Sequence, residues 1–214
     1  MTPEQILNRL NWRYATKKFD RERQISAADW QTLEQSLVLS PSSFGLQPWK
    51  FLVIRNADLR QQLQQSAWNQ SQVVDASHLV VLASKTDVQD DDVDRYIQRV
   101  TQVRQMPPEK LAGMEKAIKG FLQAPPFPLD TEAWSTRQVY LALGFLIYSA
   151  ALLDIDTCPI EGFQPAKFDE ALGLNAKGYS SKVVCALGYR SPEDKVADMA
   201  KVRYETAEVV EYIG

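Results

Sequence analysis

Four cations are spaced so that a fold can gather them. Arg13 and Lys17 stand four residues apart near the start of the chain, and Lys201 and Arg203 two apart near its end. On a helix the first pair shares a face, and in an extended segment the second pair points to one side. Two such pairs can hold one phosphate monoester, although spacing alone fits solvated surface charge better. The segment Ser40-Pro41-Ser42-Ser43-Phe44-Gly45-Leu46-Gln47-Pro48-Trp49 is a second feature. Its hydroxyls, glycine and prolines make a stiff polar loop, suited either to the edge of a flat polar ring or to an ordinary helix-to-strand connection. A third loop, Pro159-Ile160-Glu161-Gly162-Phe163, carries a glycine that allows a ligand close to the backbone.

Side-chain catalysts are scarce. His78 is the single histidine, so a Ser-His triad, a Cys-His pair and a polyhistidine metal site would all have to use one residue at the head of an apolar run, where a structural role fits better. Cys158 and Cys185 lie in apolar stretches without CxxC spacing and read as buried free thiols, with no metal site. Neither a P-loop nor a GxGxxG fingerprint occurs. A net charge of −3 and a pI near 5.3 argue against a broad nucleic-acid footprint, so any anion site is local. The N-terminal MTPEQILNRLNWRY lacks a basic-then-apolar signal pattern. The longest apolar run, Val139 to Leu153, is shorter than the ~20 residues needed to span a bilayer. A cytoplasmic protein without a membrane partner is the expectation.

The elements that position these residues follow from the pattern. A chain of 214 residues, 45% hydrophobic and 24% charged, fits a single domain over residues 1–214. Thr2-Pro3-Glu4-Gln5 and Ser26-Ala27-Ala28-Asp29 mark helix starts, the second ending near Ser40-Pro41. Strands are predicted at Pro48–Ile54, His78–Ala83 and Lys182–Leu187, with helix over 57–75 between the first two. Residues 89–130 form a helical excursion, with helices at 92–104 and 108–123 and a rigid turn at Ala124-Pro125-Pro126-Phe127-Pro128. Such a segment serves as a lid or pocket wall, or as a plain surface hairpin. The tail 206–213 suits a strand, on a second subunit or at a sheet edge. Strands separated by helices give an α/β or α+β domain.

Taken in order along the chain, Arg13-Tyr14-Ala15-Thr16-Lys17-Lys18-Phe19-Asp20, the Pro41-Ser42-Ser43 loop through Gln47-Pro48-Trp49, Asp75-Ala76-Ser77-His78, Pro159-Ile160-Glu161-Gly162-Phe163 and Lys201-Val202-Arg203 resemble the nitroreductase family. The resemblance covers nearly the whole chain. It implies an α+β fold with a central, mostly antiparallel sheet flanked by helices, assembled as an intertwined homodimer whose core takes the helix at 134–153.

It also implies FMN as cofactor. Arg13, Lys201 and Arg203 match the positions that hold its phosphate, with Tyr14 and Ala15 beside them. Lys17 matches the lysine whose charge stabilises the reduced ring. Asn69 and Gln72 match ligands at the pyrimidine edge. Pro159, Ile160, Glu161 and Gly162 match the strip under the ring, with the Glu161 N–H toward N5. Pro41, Ser42 and Ser43 match the loop supplied by the partner. Phe121 and Phe127, ahead of Phe163, are candidates for the substrate-pocket wall. Two departures stand out: Ala15 replaces a serine of close relatives, and neutral Gln72 replaces a lysine of some, which predicts a lower flavin potential.

The implied activity is ping-pong transfer of reducing equivalents from NADH or NADPH to planar, electron-poor acceptors such as nitroaromatics, quinones or dihydropteridines. A non-catalytic dimer that has lost flavin, and a family member with other flavin chemistry such as dehalogenation, are the alternatives.

Overall fold

The computed structural model describes all 214 residues. The first helix, α1 (Pro3–Trp12), starts as its sequence dictates: the Thr2 hydroxyl accepts the Gln5 N–H at 3.3 Å and the Gln5 side chain accepts the Thr2 N–H at 2.8 Å. It ends one residue before Arg13, whose φ of −72° and ψ of 141° are extended. Arg13 and Lys17 therefore do not share a helix face. They lie in an extended segment tied to the sheet by a bridge between Ala15 and Thr157.

The helix α2 (Ala27–Val38), capped by Ser26, leads through the serine-proline loop to β1 (Trp49–Ile54). The predicted helix over 57–75 is two pieces, α3 (Ala57–Gln65) and α4 (Gln72–Asp75). Trp68 and Asn69 break it, with φ of 52° and 54° in the left-handed region that a right-handed helix cannot contain. Next come β2 (His78–Lys85), α5 (Asp90–Arg104) and α6 (Ala112–Gln123), where residues 108–111 form a 3-10 turn in place of the predicted helical start. The long α7 (Thr131–Leu152) is followed by β3 (Asp156–Ile160), α8 (Pro165–Leu172), β4 (Tyr179–Gly188) and the short α9 (Thr206–Val209).

The sheet is antiparallel throughout, in the order β1-β2-β4-β3. Alternation along its central strands sends side chains to two cores. Val80, Leu82, Val183, Cys185 and Leu187 face α2 and α7, meeting Trp30, Leu33, Val139 and Leu146. Leu79, Val81, Val184 and Ala186 face α3 and α8, meeting Leu63 and Phe168. A third, smaller core joins Val93, Ile97 and Ile118 of the 89–130 segment to Leu46 and Trp134.

Two surfaces are left uncovered. On α7 one side packs into the core, while Arg137, Tyr140, Leu141, Gly144 and Phe145 form an exposed stripe at helical spacing. The predicted tail strand is absent: residues 206–209 are helical, Tyr212 and Ile213 are more than nine-tenths exposed, and no strand pairs with them. A strand needs a neighbouring ladder, and within one chain this segment has none.

Candidate functional site

Two carboxylates shape the segment that carries the N-terminal cations. Asp156, at the head of β3, is buried and accepts from Arg190 through Nε at 2.9 Å and Nη2 at 2.6 Å. The same guanidinium lies 4.3 Å from the Trp12 ring centroid and 4.6 Å from that of Tyr14. Such a two-pronged pair with aromatic cover fixes the chain as it leaves α1. Asp194 then accepts from the Lys17 N–H at 2.7 Å, the Lys18 N–H at 3.0 Å and the Tyr14 hydroxyl at 2.9 Å. Burial alone would push this carboxyl up, but the Lys18 and Lys17 N–H groups and the Tyr14 hydroxyl outweigh it and hold it below its ordinary range. Sequence reasoning did not single out Asp156, Arg190 or Asp194. The Ser191-Pro192-Glu193-Asp194 turn is the available signal for the last.

These anchors bring Arg13, Tyr14, Ala15, Lys201 and Arg203 around one cavity of about 430 Å³. Its charge is one-sided, because none of the three cations forms an ion pair. Arg13 is half-buried and its Nε has no hydrogen-bond partner. Its guanidinium is shifted down, first by burial and then by Arg203, and the Lys201 ammonium is shifted down by burial, Arg13 and Arg203. At an effective dielectric near 20, like charges several Å apart repel by roughly 1–3 kcal/mol. A multiply charged anion turns that repulsion into attraction, and it supplies the acceptor that the orphaned Nε lacks.

Lys17 is exposed and unpaired. The Thr16 N–H donates to the Thr157 carbonyl at 3.1 Å, which places Lys17 beside β3, and burial pushes the Cys158 thiol up while the Lys17 charge opposes that shift. That strand leads to Pro159, Ile160, Glu161 and Gly162. At Gly162 a Cβ would sit 2.7 Å from the Trp68 indole, and the Gly162 carbonyl accepts from Gln70 Nε2 at 2.8 Å. A side chain there would have to displace the indole. The Tyr140 hydroxyl donates to the Glu161 carboxylate. Burial, and then this carboxylate, push the Tyr140 hydroxyl up to about 12. The side-chain amides of Asn69 and Gln72 make no hydrogen bond within the chain. Trp68, three-quarters exposed and strained at φ 52°, was missed from sequence.

Pro41, Ser42 and Ser43 lie elsewhere. The Ser43 N–H donates to Gln138 Oε1 of α7 at 2.9 Å, and the Ser42 hydroxyl accepts from the Gln47 N–H at 3.0 Å. Phe44 of this loop meets Phe121 at 5.2 Å between centroids, and Phe121 meets Phe127 at 5.9 Å. No hydrogen bond or ion pair joins this group to the cation cavity within one chain. Phe163 is buried against Phe168 in the core. His78 stacks on Trp30 at 4.1 Å with Nδ1 2.9 Å from the Ser77 hydroxyl, and burial, then Arg60 and Arg55, lower its pKa to about 4. It is neutral at pH 7 and structural. No helix is long and apolar enough to cross a membrane.

A family model described as the nitroreductase family matches residues 10–189. The chain belongs to that family. A Staphylococcus haemolyticus protein provisionally named an NAD(P)H nitroreductase is 36% identical over 220 residues, covering 98% of both chains. YfkO of Bacillus subtilis, named in the same provisional way, is 34% identical over 219 residues, covering 98% of this chain and 97% of its own. Solved nitroreductase structures share the fold at lower identity. YdfN of Bacillus subtilis superposes with a TM-score of 0.86 at 19% identity, over 99% of this chain and 100% of that one. A nitroreductase-type protein of Exiguobacterium sibiricum, crystallised with FMN, gives 0.81 at 21% identity over 100% and 98%. The α+β nitroreductase fold expected from sequence is the fold observed.

Proposed function

We propose that this nitroreductase-family chain binds FMN and uses it to carry reducing equivalents from NADH or NADPH to planar, electron-poor acceptors such as nitroaromatics, quinones or dihydropteridines. The observation that carries the reading is the cavity where Arg13, Lys201 and Arg203 converge without a carboxylate and with a buried, unpartnered Arg13 Nε. Its donors suit a phosphate monoester, in which each oxygen accepts charge-assisted hydrogen bonds. The fit extends beyond phosphate. Tyr14 and Ala15 line the same cavity, Lys17 offers a free ammonium beside β3, and Asn69 and Gln72 offer unused amides.

When bound, FMN would supply hydride-transfer chemistry between a nicotinamide donor and an acceptor that use the pocket in turn, a ping-pong sequence. The chain's own residues bind and orient. Arg13, Lys201 and Arg203 fix the phosphate, and Lys17 favours the negative charge of the reduced cofactor. Pro159 to Gly162 provide the backbone strip under the ring, with the Trp68 indole packed against Gly162. Phe121 and Phe127 form the apolar wall of the substrate pocket.

A second copy of the chain completes the site in this reading. Tyr140, Leu141 and Phe145 on α7 are between 38% and 48% exposed, a contiguous apolar stripe of the kind that marks a subunit interface. Pro41, Ser42 and Ser43, separate from the cavity in one chain, then reach the partner's cofactor. The protein is a homodimer of one domain per chain, with the 89–130 segment as pocket wall.

Visible absorbance tests the proposal. The purified protein, incubated with FMN and freed of excess, shows flavin bands that NADH or NADPH bleaches. A protein that stays colourless overturns the reading and leaves a non-catalytic dimer.

A further inference from the structure

Resting on the reading that FMN lies on the Pro159–Gly162 strip, we propose that Glu161 and Tyr140 work as a pair that sets how strongly the bound flavin gives up its electrons. Glu161 raises that donating power, and Tyr140 is a positioning residue that tempers it.

The argument begins with charge along β3. Thr157 is bridged to Ala15 and its carbonyl accepts the Thr16 N–H at 3.1 Å, which sets Lys17 next to the segment paired with β3 at Thr157 and Cys158. Glu161 lies three residues further on, roughly 10 Å away at the rise of an extended strand. One edge strand thus has a free ammonium at one end and a carboxylate at the other. Glu161 has no cationic partner in the chain, and its side chain caps no helix. Its single side-chain partner is the Tyr140 hydroxyl, which reaches across from α7 although Leu141 and Phe145 beside it simply present apolar surface. A tyrosine used only for packing does not need that reach.

The direction of the effect follows from electrostatics. A carboxylate beside a ring that becomes negative on reduction disfavours the reduced form, lowers its potential and eases loss of hydride. The hydroxyl donated by Tyr140 disperses part of the Glu161 charge and holds the side chain in place. Lys17 acts in the opposite sense from the other end of the strand. The potential is then a balance between Lys17 and the Tyr140–Glu161 pair.

The test is the reduction midpoint of the FMN-loaded protein, read by equilibration with a reference dye. Glu161→Gln shifts the equilibrium toward reduced flavin by about tenfold, about 30 mV upward for a two-electron couple. Tyr140→Phe shifts it downward by less, and the double variant coincides with Glu161→Gln because Tyr140 acts through Glu161. Glu161→Asp, which keeps the charge, stays closer to the wild type than Glu161→Gln does. A midpoint unmoved in Glu161→Gln, or a Tyr140→Phe shift that persists without Glu161, overturns the inference. Flavin content, recorded for every sample, separates the two levels: wild-type protein without flavin refutes the functional reading and this inference with it, whereas flavin-bearing protein with unmoved midpoints refutes this inference alone.

Discussion

Arg60 and Arg13 are both withdrawn from water without a carboxylate to balance them, and they differ in where their N–H groups go. Arg60 is 8% exposed and donates through Nε to the Ile54 carbonyl at 2.8 Å, through Nη1 to Ala76 at 2.5 Å and through Nη2 to Ser77 at 3.1 Å. It ties the end of β1 to the start of β2. Arg13 faces two further cations and leaves its Nε unpaired. A guanidinium whose donors are satisfied by backbone carbonyls is part of the fold. One whose donors are unsatisfied among like charges is arranged for something outside the chain.

The largest effect that sharpens this contrast comes from Arg60→Met. It strands three carbonyls and costs about 3–5 kcal/mol of stability by denaturant titration of the apoprotein. Arg13→Ala behaves oppositely: the apoprotein keeps its stability to about 0.5 kcal/mol, because relief of repulsion offsets lost contacts, while FMN binds roughly 10–100-fold more weakly, as loss of charge-assisted bonds to phosphate requires. A strongly destabilised Arg13→Ala apoprotein would erase the distinction.

A smaller effect reports on the Arg60 side. His78 has a folded pKa of about 4, below the ~6.5 of an unfolded histidine. As pH falls from about 6.5 toward 4 the unfolded chain takes up the proton first, so stability is lost across that window, on the order of 1–2 kcal/mol once the full shift is discounted for solvent screening of the half-buried ring. Thermal melts should show this slope in the wild type and lack it in His78→Phe, which keeps a ring against Trp30. Smallest is Glu193→Ala, which removes the exposed pair with Lys18 at 3.2 Å and changes stability by less than about 0.5 kcal/mol.

What the sequence made legible divides along the same line. Capped helix starts, the β-branched strands and the ordered motifs were readable because they depend on neighbouring residues or on fixed order. Arg13, Lys201 and Arg203 were readable as a set, but the helical spacing first assigned to Arg13 and Lys17 was not realised: α1 ends at Trp12, where Arg190 and Asp156 take over the chain. Those anchors, with Asp194, are contacts across more than thirty residues, which no local pattern encodes. The tail read as a strand because Val209, Val210, Tyr212 and Ile213 have strand-forming side chains, and composition says nothing about whether a partner ladder is at hand. Trp68 escaped notice because a left-handed tryptophan is set by the fit against Gly162, which only the folded chain shows.

Titrating the apoprotein with FMN and with riboflavin, which lacks the phosphate, tests the central claim most directly. If Arg13, Lys201 and Arg203 form a phosphate site, FMN binds about 100-fold or more tightly than riboflavin, equivalent to about 2.7 kcal/mol, and Lys201→Ala narrows the gap. Equal affinity for the two ligands would contradict the account and return these cations to the protein surface.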